Sequence, residues 1–123
     1  MKRLWLLLIP LAVLAQTPTY TVTLAWTAPT TNADGSPLTD LAGYRVYWGV
    51  MPGDHPNSVD VGLTTTHVMT EQVLLSDTRY YFAVTAVDDS GLESDKSNEA
   101  SAVTPDVTAP GPPSNVTVVI TFP

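Results

Sequence analysis

Tyr80-Tyr81-Phe82-Ala83-Val84-Thr85-Ala86-Val87 places Tyr80, Phe82, Val84 and Ala86 on one side of a chain of period two, the pattern of a strand with one buried face. The same period recurs upstream. Val22, Leu24 and Trp26 alternate with Thr21, Thr23 and Ala25, and Tyr44, Val46 and Trp48 alternate with Arg45, Tyr47 and Gly49. Shorter extended runs are predicted over residues 58–61, 65–70 and about 98–104. Turn chemistry lies between them. Residues 28–42 hold two prolines and Asn32-Ala33-Asp34-Gly35, residues 51–57 read Met51-Pro52-Gly53-Asp54-His55-Pro56-Asn57, and Gly62 and Gly91 punctuate the rest. Short strands at about ten-residue spacing, with no helical stretch among them, predict an all-β antiparallel sandwich or barrel.

Composition agrees with that reading. The 123 residues include eighteen Thr and fifteen Val, side chains that suit a pleated, half-buried surface and lose rotamer freedom in a helix. Five Lys plus Arg stand against twelve Asp plus Glu, and the formal charge is −7. Such a chain lacks the cationic surface that phosphate neutralisation requires, so no nucleic-acid partner is expected. There is no Cys, which removes disulfides, thiol chemistry and Cys-based zinc sites together.

Residues 1–15 read as a separate object. Met1, Lys2 and Arg3 make a basic head, residues 4–14 are almost wholly apolar, and Val13-Leu14-Ala15 puts small residues where a signal peptidase inspects the chain. Eleven apolar residues fall well short of the roughly 20 needed to span a bilayer. A secretory signal cut after Ala15 is therefore predicted, with no membrane partner after its removal and a periplasmic or extracellular destination. Removal would leave Arg45, Arg79 and Lys96 against the same twelve acids, a net charge of −9.

From about Tyr20 to Thr104 the sequence resembles the fibronectin type III domain in its bacterial and phage form. Val22-Thr23-Leu24-Ala25-Trp26 looks like the B strand, and Gly43-Tyr44-Arg45-Val46-Tyr47-Trp48-Gly49 looks like the C strand. The segment Leu74-Leu75-Ser76-Asp77-Thr78-Arg79-Tyr80-Tyr81-Phe82-Ala83-Val84 is similar to the E to F corner, followed by Ser90-Gly91-Leu92-Glu93-Ser94 and Ser97-Asn98-Glu99. The resemblance implies an immunoglobulin-like sandwich of about seven strands. It also implies that Tyr80 is a corner tyrosine whose hydroxyl bonds upstream backbone, in a corner where Ser76 replaces the family's usual Pro and loosens the turn a little. Its expected core is Val22, Leu24, Trp26, Tyr44, Val46, Leu74, Tyr80, Phe82 and Val84, with Trp26 at the centre of one sheet.

Candidate chemistry is sparse, and no catalytic, cofactor or metal site is predicted. His55 lies in a Pro-rich loop and His67 on a strand, without a third ligand at fixed spacing. Asp88, Asp89, Glu93 and Asp95 crowd one loop, but Gly91 does not take the place that a calcium-binding hand requires. They read as a solvated acidic loop. Tyr47 and Tyr81 fall on the outward parity of adjacent strands and are expected to form an aromatic pair. Cross-strand packing is favoured over a platform for carbohydrate or a protein partner.

The ends depart from the family pattern. Only Gln16 to Thr19 separate the predicted cleavage point from Tyr20, and Pro18 cannot donate to a ladder, so the A strand is expected to be weak or missing. The predicted domain covers 16–104. Residues 105–113 contain four prolines and read as a stiff linker. Residues 114–123 then look like an A strand, with Val116, Val118, Ile120 and Phe122 on one face. Such a tail belongs to a further domain in a longer chain, folds back into the first-strand position of its own domain, or inserts into that of a neighbouring copy. Three functions correspond: a secreted spacer or protein-interaction and adhesion module, a subunit of an extracellular polymer joined by strand exchange, or an accessory domain of a carbohydrate-active enzyme.

Overall fold

A computed structural model describes residues 19–123; the predicted signal and Gln16 to Pro18 lie outside the described residues. Six strands follow one another: β1 (Thr21–Ala25), β2 (Leu41–Gly49), β3 (Asn57–Gly62), β4 (Thr66–Thr70), β5 (Arg79–Asp88) and β6 (Ala100–Val103). They form two antiparallel layers. β1 pairs with β4, and the second sheet has the order β3-β2-β5-β6. Among the described residues there is no helix, as expected of a chain so rich in β-branched side chains.

Register follows the alternation of the sequence. Val46 opposes both Val59 and Val84, Val22 opposes Met69, and Tyr80 opposes Ala102. Between the sheets lie Tyr44, Val46, Met69, Leu74, Tyr80 and Phe82, all buried. Tyr20, Met69 and Thr104 were not in the expected core, yet all three are buried. Met69 follows from β4's alternation, and Thr104 serves a hydrogen-bonding purpose.

That purpose is the corner before β5. The Leu75 amide donates to the Tyr80 hydroxyl at 2.8 Å, and the Tyr20 hydroxyl donates to the Leu74 carbonyl at 2.6 Å. Thr104 Oγ1 donates to the Leu75 carbonyl at 2.6 Å and accepts from the Thr78 amide at 3.0 Å. Two tyrosines and one threonine thus satisfy the polar backbone of a corner that must pass close to the core. Asp77 takes the left-handed conformation here (φ 49), which a short polar side chain tolerates.

Four expected core residues, Val22, Leu24, Trp26 and Val84, are only half-buried. For Val22, Leu24 and Trp26 the reason is topological. Among the described residues β1 has β4 on one side and no strand on the other, so its inward side chains line the rim of the sandwich. Trp26 stands at this edge, not at a sheet centre, with its ring edge-on to Tyr44 at a centroid distance of 5.4 Å.

Candidate binding surfaces

Two surfaces emerge, one on the outer face of the larger sheet and one along β1. On the outer face, Arg45 and Tyr47 of β2 lie beside Thr85 and Ala83 of β5, the residues they oppose in register. The loop after β5 folds back over them. Ser94 and Ser97 donate their amides to the Ala86 and Val84 carbonyls at 2.8 and 2.9 Å, while their hydroxyls accept the Ala86 and Val84 amides. These serines substitute for a regular ladder and prolong the pairing that β6 completes.

This path lays Glu93 across the sheet. Its carboxylate accepts from the Tyr47 hydroxyl, from Thr85 Oγ1 at 2.5 Å and from Arg45 Nη1 at 3.2 Å. Arg45 also donates to Asp60 at 2.6 Å. The Thr85 and Tyr47 hydroxyls hold the Glu93 carboxyl below the usual glutamate range, and the Arg45 charge adds to them. Lys96 Nζ sits 4.7 Å from the centre of the Tyr47 ring, within cation–π range. Lys96 also donates to His55 Nδ1 at 3.2 Å, and because lysine can only donate, Nε2–H is left to donate to Glu99 at 2.7 Å. His55, although it lies in a Pro-rich loop, has a side chain only 5 % exposed.

The expected aromatic pair is corrected by this arrangement. Tyr47 opposes Ala83, whereas Tyr81 opposes Gly49 and Ser101, and the two rings make no stacking contact. Tyr47 is covered by Lys96 and tied by Glu93, so the outer face is a closed polar network rather than a flat platform. Sequence reading missed Glu93 and Thr85 because the first is placed by a loop and the second only by its register. Of the acidic loop, Asp88 and Asp89 gather with Asp40, not with Glu93 or Asp95. Asp88 Oδ1 already accepts the Ser90 and Leu92 amides at 3.0 and 2.9 Å, which is turn chemistry.

The second surface is a groove of about 410 Å³ along β1, lined by Leu24, Ala25, Trp26, Phe82, Val84 and Ala100 among others. The Trp26 Nε1 atom is buried and has no hydrogen-bond partner among the described residues. Among the described residues the backbone of β1 also has no strand partner on this side. Trp26 donates its amide to Thr65, so by the alternation of an antiparallel pair the N–H and C=O groups of Thr21, Thr23 and Ala25 point away from β4. The expected tail does not fill the groove. Residues 105–123 are exposed and form no strand, and Val116, Val118, Ile120 and Phe122 are 82, 84, 76 and 88 % exposed. Folding back onto its own β1 is thus not what the tail does in this structure.

The comparisons with known proteins fit the strand order. Residues 10–103 match the fibronectin type III domain. This chain belongs to the fibronectin type III family. The domain is also 37 % identical over 100 residues to Exoglucanase B of Cellulomonas fimi, a match covering 77 % of this chain and 8 % of that protein. Among solved structures it is similar to a β-1,2-glucanase from Parabacteroides distasonis, with 22 % identity and a TM-score of 0.54, over 72 % of this chain and 11 % of the other. The chain therefore spans about a tenth of the length of these relatives.

Proposed function

We propose that the domain is a secreted, non-catalytic module that acts as a spacer or protein-interaction domain at the cell exterior or in the periplasm. The observation that carries this reading is the disparity in coverage: 77 and 72 % of the chain match 8 % of an exoglucanase and 11 % of a glucanase, so most of each enzyme lies elsewhere. The side chains agree with it. The polar groups on the outer face are consumed by one another, with Glu93 bonded to Tyr47, Thr85 and Arg45. The basic head, the short apolar run and Ala15 support export.

A finer reading is favoured by the names of both relatives: an accessory module of a secreted enzyme that degrades polysaccharide. Expression of the full chain in a bacterium, followed by mass spectrometry of the exported product, retention on cellulose and assay for released sugar, tests these statements. The expected product starts at Gln16, passes through cellulose unretained and releases no sugar. Retention would make the module a carbohydrate binder, sugar release would overturn the non-catalytic reading, and an unprocessed chain would overturn export.

A further inference from the structure

The groove along β1 and the tail are complementary in four respects. The first is polarity. The groove's residues, from Leu24 to Ala100, include no charged side chain, and neither does Ser114-Asn115-Val116-Thr117-Val118-Val119-Ile120-Thr121-Phe122-Pro123. In a chain with twelve acids and five bases, two uncharged surfaces are the places where copies meet with least repulsion. The second is period. Val116, Val118, Ile120 and Phe122 share one parity, as a strand needs in order to bury one face against Leu24, Trp26, Phe82 and Val84 while its backbone pairs with Thr21, Thr23 and Ala25. The third is an orphaned donor: Trp26, which lines the groove, has its Nε1 buried without a partner among the described residues, and a buried N–H calls for an acceptor.

The fourth is direction. Tyr20 bonds Leu74, and Thr104 bonds Leu75, so β1 begins at the pole where β6 ends. Trp26 borders the groove together with Ser97 and Ala100, so β1 ends where the return towards β6 starts. A strand antiparallel to β1 must therefore begin at the Trp26 pole and run towards the Tyr20 pole. The tail of a given copy departs from the Tyr20 pole, after Thr104. It meets this requirement directly in the next copy, stacked head to tail. The linker, residues 105–113, reaches roughly 28 Å at about 3.1 Å per residue, enough to pass from one pole to the neighbouring one.

We infer that residues 114–123 of one copy insert as an antiparallel strand beside β1 of the next, with Val116, Val118, Ile120 and Phe122 filling the groove at Trp26. The contact is heterologous and does not close, so it propagates as a filament. This inference rests on the export reading, in which residues 1–15 are removed.

Light scattering on the processed full chain across a concentration series tests it. Wild type gives masses in multiples of one copy. Val118→Asp charges the donor face and leaves β1 intact, whereas Thr23→Pro removes an outward amide of β1 and leaves the tail intact. Each variant alone gives the mass of one copy, and their mixture gives two copies and nothing larger, because one supplies the edge and the other the tail. Binding of a synthetic peptide of residues 114–123 to Val118→Asp reads the edge independently should Thr23→Pro fail to fold. Wild type that stays at one copy throughout overturns the inference, as does assembly that survives Val118→Asp. A monomer whose melting temperature falls on Val118→Asp shows pairing within one chain and overturns it too. Mass spectrometry of the chain as exported separates the two readings: processed but monomeric sinks the filament alone, and an unprocessed chain sinks export and the filament that rests on it.

Discussion

Tyr80→Phe isolates the corner that links the two sheets. The Tyr80 hydroxyl accepts the Leu75 amide at 2.8 Å in a partly buried setting, and the ring packs with Met69, Leu74 and Phe82. Phenylalanine keeps the ring and deletes the acceptor, which leaves a shielded N–H without a partner at a cost of about 1–3 kcal/mol. Tyr20→Phe is the internal comparison. There the lost hydroxyl is a donor to the Leu74 carbonyl at 2.6 Å, and an under-satisfied carbonyl is tolerated better than an orphaned amide, so about 0.5–1.5 kcal/mol is expected. At about 4–8 °C per kcal/mol for a domain of this size, Tyr80→Phe lowers the melting temperature by on the order of 10 °C, and Tyr20→Phe by about half as much. Because the two bonded groups sit on adjacent residues, the double variant should deviate from additivity. Urea titration followed by tryptophan fluorescence, with an unchanged m-value, gives the free energies. Tyr80→Phe being no worse than Tyr20→Phe, or a double variant that is strictly additive, would refute this account of the corner.

Three further outcomes follow from the same structure. Leu74→Ala, at a side chain with no exposure and in contact with the Met69, Tyr80 and Phe82 cluster, should cost about 2–5 kcal/mol in urea titration. Gly49→Ala should cost about 1–3 kcal/mol, read as a drop in melting temperature, because the new Cβ collides with the Asp54 carbonyl oxygen and comes within 2.8 Å of Pro56 Cδ. Glu93→Gln should flatten the acid limb of the stability curve. The folded Glu93 carboxyl titrates below its unfolded value, so its contribution is present above the unfolded pKa and disappears as pH falls through the folded one. A variant whose stability falls between pH 6 and pH 3 as steeply as wild type's would contradict that role.

The sequence showed the sandwich because period-two alternation in β1, β2 and β5 survives as cross-strand register: Val46 does oppose Val84, and Tyr80 does accept upstream backbone. It showed less of the surface. Glu93, Thr85 and Lys96 meet over Tyr47 only because Ser94 and Ser97 lay their loop along β5, and such a return path leaves no periodic trace. The expected Tyr47 and Tyr81 pair failed for a related reason. Outward parity places both residues on one face, but register sets them diagonally, and Tyr47 found a cation and a carboxylate instead. The half-burial of Trp26 was equally hidden, because alternation says which face a residue takes and not whether its strand has one neighbour or two.

The rim positions Val22, Leu24 and Trp26 connect stability to assembly. Each is an inward side chain that the two-stranded sheet leaves half-buried, so burying them falls to whatever pairs with β1. A ligand that binds only the folded domain raises stability by RT ln(1 + [L]/Kd), about 2.7 kcal/mol at a hundredfold excess over Kd. The peptide of residues 114–123 should therefore raise the melting temperature of Val118→Asp by on the order of 10 °C at that excess. Its addition should also shield Trp26 from acrylamide in a Trp48→Phe background. The two signals must rise together with peptide concentration, because both report one strand covering one edge. A melting temperature that climbs while Trp26 quenching stays constant would place the peptide elsewhere on the domain and detach the half-buried rim from any part in assembly.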